Sequence, residues 1–199
     1  HWFKKKRRVV ILLTVGLILG SNLVLLSNFA FNNFLGSHQQ GRIKVWLVPE
    51  ECDPQDEAYN LVQSKMAIGS GGWAGKGFLK GNLTQGNFVP EQVTDFIFST
   101  VGEEQGFVGS FAIIALFWLL MVRIVMIAER QRNDFSKYYA YGVAGIIFVH
   151  VLINIGMTMG LMPIIGIPLP FISKGGSALL GFTLLLAVLL KLDSIRYST

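Results

Sequence analysis

Apolar runs long enough to cross a bilayer are the feature that most restricts how this chain can fold. About 20 apolar residues, each adding about 1.5 Å of helix, cover about 30 Å of hydrocarbon. Four segments meet or approach that length. They run over about 9–30, about 106–127 with Arg123 near the far end, about 138–160 with His150 as its ionisable group, and 177–190, which is expected to begin inside the apolar stretch before it. Backbone polar groups cannot go unpaired in lipid, so runs of this length specify helices. The reading is an all-α integral membrane protein with four transmembrane helices, forming a single membrane domain over 1–199. Charged residues make up 15% of the chain, against about 25% in soluble proteins, which agrees with lipid as the solvent.

The formal net charge of +5 is segregated rather than spread. Basic residues cluster in the run Lys4-Lys5-Lys6-Arg7-Arg8, in the connection holding Arg130, Arg132 and Lys137, and in the tail with Lys191 and Arg196. Short flanks rich in Lys and Arg stay cytoplasmic. Both ends of this segment are therefore expected inside the cell, with a long extracytoplasmic loop over about 32–104 and a short outward segment over about 161–176. The positive surplus is a topology signal, not a nucleic-acid surface. The chain opens His1-Trp2, and the basic run ahead of a long apolar stretch reads as a membrane anchor in a chain lacking its beginning, not as a cleavable signal. Cys52 stands alone, which excludes an intrachain disulfide and a Cys-rich metal site.

The outer loop is too long for a plain connector. Residues 57–68 carry apolar side chains at near-helical spacing, consistent with a helix on or re-entering the interface. Glycine then dominates from Gly69 to Gly77. A nucleotide-binding loop is excluded there, because Ser70 stands where its first Gly belongs and Gly77 where its hydroxyl should be. Two readings stay open: a turn packed close to membrane helices, or backbone amides and Lys76 contacting a lipid-linked diphosphate. Asp95, between Thr94 and Phe96, is either a helix cap or a partly desolvated carboxylate suited to accepting a proton. Glu103 and Glu104 read as favourable charges near a helix start. Residues 161–176, with Pro163, Pro168 and Pro170 among glycines, cannot sustain a regular helix and are expected to form a re-entrant wall or cavity lining. His150 and Asn154, one turn apart, offer a polar face for interhelical hydrogen bonds.

Four motifs occur in order: QSKMAIGSGGWAGKGFL from Gln63, PEQVTDFIF from Pro90 with GEEQGFVG from Gly102, Asn154-Ile155-Gly156-Met157, and GIPLPFISKGGS from Gly166. Together they resemble the SEDS family of shape, elongation, division and sporulation proteins over nearly the whole chain. The Gly-Ile-Pro-Leu-Pro wording, with His38-Gln39-Gln40-Gly41-Arg42-Ile43, resembles its RodA-like elongation branch more than its division branch.

The resemblance implies the C-terminal half of a ten-helix fold. It implies a peptidoglycan glycosyltransferase that polymerises lipid II into glycan strands at the outer face of the bacterial inner membrane, for elongation and rod shape. By the same resemblance Asp95 takes the catalytic role of general base. Arg42, Lys65, Lys76 and Lys174 are candidate cations for the undecaprenyl diphosphate of lipid II or of the growing glycan. Glu91, Ser173 and Ser177 are further candidate substrate contacts from the same motifs, and a divalent ion, Mg or Mn, could share the diphosphate charge.

The implied protein partner is a class B penicillin-binding protein, the transpeptidase. A lipid-precursor flippase and a non-catalytic scaffold for that partner are the alternative functions, and this segment alone is expected to be inactive. Two positions depart from the family pattern. Val93 stands where His usually precedes Thr-Asp, and Lys174 where Tyr usually precedes Gly-Gly-Ser.

Overall fold

A computed structural model of the protein describes residues 29, 31, 33–48, 52, 58–86 and 88–195. Nearly all of the expected first span, about 9–30, lies outside these residues. The chain divides into two compact units, 1–44 and 45–199, where the sequence suggests one domain.

Six helices are described. They are α1 (Ser37–Leu47), α2 (Tyr59–Ser70), α3 (Asn82–Gln85), α4 (Ile97–Glu129), α5 (Asp134–Met159) and α6 (Gly176–Ile195). The described residues include no strand. Among the described residues three helices, α4, α5 and α6, are long and apolar enough to cross a membrane. Within the first unit, the Gln40 amide donates to the carbonyls of Phe31 and Leu35 at 3.0 and 2.9 Å. The unit boundary falls inside α1, after Lys44.

The observed helices differ from the hydropathy bounds where the backbone is polar but still paired. α4 begins at Ile97, well before the apolar run that starts near Gly106, because its first turns are buried in protein. α6 starts at Gly176 and gains length at its far end, through Ile195, not inside the proline-rich stretch. α5 starts at Asp134, where the Asn133 side chain accepts the Phe135 amide at 3.0 Å and the Asp134 carboxylate favours the positive helix end.

α4 is broken at Gly106, where φ is 65° and ψ −159°, a conformation essentially reserved for glycine. A break frees amides on one side and carbonyls on the other, and the glycine-rich loop satisfies both. The amides of Phe107 and Val108 donate to the carbonyls of Gly72 and Trp73 at 2.8 and 3.2 Å. The carbonyls of Glu103 and Glu104 accept the amides of Lys76 and Gly77 at 3.0 and 2.9 Å. The approach needs bare backbone, since a Cβ on Gly75 would lie 2.2 Å from the Glu104 carbonyl oxygen.

The same loop supplies the charge that Glu103 needs. The Glu103 side chain has no exposure, yet its Oε1 accepts Lys76 Nζ at 2.7 Å and the Leu83 amide at 3.0 Å, while Oε2 accepts the Thr84 amide at 2.8 Å. A buried carboxylate is tolerated only when paired and hydrogen-bonded in this way. Glu103 is therefore a buried, paired carboxylate, more than the favourable charge near a helix start that the sequence suggests.

Beyond the break, α4, α5 and α6 pack through Phe117, Ile124, Ile147, Val151, Phe182 and Leu189, with Ala128, Ala140 and Ala144 in the same core. Small residues at crossings let membrane helices approach closely. At the end of the bundle away from Ile97, Arg130 Nε donates to Asp193 Oδ1 at 3.0 Å, and Gln131 joins the same oxygen at 3.0 Å, clasping α6 to the α4–α5 turn.

Replacing Lys76 with Met would strand the Glu103 carboxylate. In the complete protein the expected loss is roughly 2–3 kcal/mol, below the about 3–5 of a fully buried pair, because the Lys76 side chain keeps 28% exposure. Thermal unfolding in detergent measures it, and an unchanged midpoint would mean that the pair does not hold the loop to α4.

Candidate active site

The turn over 90–96 places Asp95 immediately before α4, and its local geometry follows from Glu91. Glu91 adopts φ 48°, and its carbonyl collects the amides of Thr94, Asp95 and Phe96 at 3.2, 3.0 and 3.2 Å. Its side chain accepts the Thr94 hydroxyl at 3.0 Å. Phe96 turns inward and packs with Ala67, Val89 and Ile164. Burial of Phe96 leaves its neighbour Asp95 half-buried at the surface of that small core.

Residues 161–175 lie against this turn and contain no helix, as their prolines require. Besides the packing of Phe96 on Ile164, backbone and side-chain contacts join them. The Lys174 amide donates to the Val93 carbonyl at 2.8 Å. The Asp95 carboxylate lies over Gly166, so close that a Cβ there would sit 2.9 Å from Oδ2. Gly166 has φ 77°, so glycine serves both the backbone conformation and the approach.

From α5, Asn154 Nδ2 donates to the carbonyls of Asp95 and Ile167 at 2.8 and 2.7 Å, tying turn and loop to one transmembrane helix. The sequence singles out Asn154 as polar on an apolar span, but its partners are two loops and not another helix. His150 lacks any such link: its Nδ1 meets the Ile146 carbonyl at 2.8 Å and its ring packs on Phe182.

The remaining candidates fall into distinct settings. The Lys174 and Ser177 side chains are exposed, near and at the start of α6. Ser173 is buried, and its hydroxyl accepts the Leu169 amide at 2.8 Å, which gives it a structural role within the loop. Lys65 is exposed on α2 and runs over Gly160, where an added Cβ would meet its Nζ at 2.6 Å. Lys76 is committed to Glu103, and its backbone amide and that of Gly77 serve the α4 break. Of the amides in the glycine-rich loop, those of Lys76 and Gly77 already have acceptors. Arg42 lies on α1 within the first unit.

Among the described residues no group of three or more His, Cys, Asp or Glu side chains gathers to hold a metal ion. Asp95 and Glu91 are the carboxylates of the turn itself.

These features define a multi-pass helical membrane protein that presents a pinned carboxylate where a loop enters a span. The comparisons specify which one: a family model for FtsW/RodA/SpoVE cell cycle proteins matches residues 5–198, and the chain belongs to that family.

The chain is 44% identical over 155 residues to the Escherichia coli K12 peptidoglycan glycosyltransferase MrdB, covering 76% of this chain and 42% of that protein. It is 43% identical over 145 residues to the Treponema pallidum peptidoglycan glycosyltransferase RodA, covering 73% and 33%. A chain from a structure of a peptidoglycan synthase complex that coordinates polymerization and crosslinking superposes with TM-score 0.70 at 27% identity, over 92% of this chain and 49% of that one. Thermus thermophilus RodA, solved as a mutant, superposes with TM-score 0.53 at 29% identity, over 78% and 48%. The chain thus spans less than half the length of each of these relatives.

Ser173→Ala would leave the buried Leu169 amide without its acceptor, a loss of about 1–3 kcal/mol. A lowered unfolding midpoint with an unchanged KM for lipid-linked substrate is the expected pattern in the complete protein. A raised KM at unchanged stability would return Ser173 to the substrate contacts.

Proposed function

We propose that this chain is the C-terminal half of a peptidoglycan glycosyltransferase of the ten-helix SEDS type. It polymerises lipid II at the outer face of the bacterial inner membrane for elongation, alongside a class B penicillin-binding protein. Asp95 is the general base. It accepts the proton of the acceptor sugar hydroxyl as that oxygen attacks the anomeric carbon of the growing strand's terminal sugar. The bond from that carbon to undecaprenyl diphosphate breaks, and the diphosphate departs with the electron pair from the opposite face, inverting the centre.

The single observation that carries this reading is the placement of Asp95. It is half-buried, backed by buried Phe96 and set at the entry to a span, where a lipid-linked sugar would meet it. Lys65 and Lys174, both exposed, supply positive charge for the diphosphate. Lys76 is left out because Glu103 already balances it. A Mg or Mn ion sharing that charge would take most of its ligands from the diphosphate oxygens and water, as such ions do with one or two carboxylates from protein.

Asp95→Asn in the complete protein, reconstituted with purified lipid II, should abolish polymerisation while leaving expression intact. Retained polymerisation removes the mechanism. Lys174→Ala should raise the KM for lipid II roughly three- to tenfold, about 0.7–1.4 kcal/mol, with kcat nearly unchanged. Running both with and without the transpeptidase separates an enzyme from a scaffold, and a lipid-translocation assay separates it from a flippase.

A further inference from the structure

Asn154 is fully buried near the end of α5, and its contacts are of a kind that packing does not require. Both of its amide contacts run from Nδ2, to the carbonyls of Asp95 at 2.8 Å and Ile167 at 2.7 Å. An NH₂ group has two hydrogens, and here each has a carbonyl. The opposite amide orientation would set Oδ1 against two carbonyl oxygens, so the partners settle which way the group faces. Oδ1 is left buried with no donor among the described residues, a burden that Leu or Met at this position would not carry.

The two carbonyls that Asn154 grips belong to the segments that frame the Asp95 carboxylate. One is Asp95's own. The other is that of Ile167, next to Gly166, over which the carboxylate lies. A helix built into the α4–α5–α6 core thus fixes the spacing between the carboxylate-bearing turn and the loop beneath it. A further cross-link between turn and loop, the Lys174 amide on the Val93 carbonyl, lies two residues before Asp95.

We infer that Asn154 is a positioning residue for the Asp95 base: its amide clamps the turn at Asp95 to the loop at Ile167, and bare Gly166 lets the carboxylate settle between them. The inference rests on the reading of Asp95 as base. Its consequence is that Asn154 acts on the chemical step and not on lipid binding, because a misplacement of about 1 Å at the reacting group can cost about a hundredfold in rate.

The test uses the complete protein in reconstituted lipid II polymerisation, with Asn154→Leu, Asn154→Asp, Asn154→Gln and Gly166→Ala. Asn154→Leu keeps the branched shape and removes both donors; Asn154→Asp adds negative charge facing two carbonyls. Each should lower kcat about tenfold or more, with KM within about twofold. The acid limb of the pH profile should also shift, because the base has moved in its surroundings. Gln keeps both hydrogens and should recover part of kcat. Gly166→Ala should reproduce the kcat loss from the other side of the carboxylate.

A structural role alone would lower the amount of folded protein but leave kcat per folded molecule and the pH profile unchanged, and that result overturns the inference. If Asn154→Leu does not accumulate, Asn154→Gln and Gly166→Ala decide it, and wild-type kcat in both overturns it equally. Activity in Asp95→Asn sinks the base itself. An inactive Asp95→Asn beside a fully active Asn154→Leu sinks the clamp alone.

Discussion

A helix cannot break at the edge of a membrane span unless something else takes over its hydrogen bonds. That constraint organises this protein. At Gly106 the broken α4 is mended by the backbone of the glycine-rich loop, with two amides and two carbonyls met in turn. Water could do this cheaply at a soluble surface, but near hydrocarbon the partner must be protein. The loop is therefore held against α4 by backbone pairing that only small residues permit, and Lys76 arrives within reach of Glu103 as a consequence.

The same logic explains why several polar side chains of this fold, unlike the Lys76–Glu103 pair, grip backbone. Asn154 holds two loop carbonyls, Ser64 on α2 donates to the Thr158 carbonyl of α5 at 2.9 Å, and Ser173 accepts the Leu169 amide. Trp46 donates to the Leu161 carbonyl at 3.0 Å. Each bond stands in for a regular secondary-structure partner that an irregular segment lacks. The result is a set of segments that lack helix yet are tied to their surroundings by specific hydrogen bonds, the turn at Asp95 among them.

How much of this could be read from residues alone depends on the range of the interaction. Apolar runs announced the spans of α4, α5 and α6, because membrane length is a local property of a segment. Prolines announced that 161–176 would be irregular. The spacing in 57–68 announced α2, shifted by two residues. The role of Glu103 could not be read that way, since its ordinary appearance near a helix start is the same whether it faces water or the Lys76 ammonium and the Leu83 and Thr84 amides. The glycines of 69–77 raised close packing as one alternative, and showing it needed the backbone of α4 beside them. Asn154 stood out as polar in an apolar helix, while its acceptors, 59 and 13 residues away in sequence, leave no periodic trace.

The two departures from the family pattern can be weighed against this geometry. At Val93 the side chain is 45% exposed, so it is the carbonyl, not the side chain, that joins the turn to the Lys174 amide. Any residue can supply that carbonyl, so replacing an imidazole there leaves the framework of the turn unchanged. Lys174 likewise contributes its backbone to the fold and leaves its side chain exposed. Both substitutions therefore fall where the backbone is constrained and the side chain is not. Asp95 and Gly166 are the reverse case: the carboxylate and the bare Cα meet directly, and neither can change without altering the other's position.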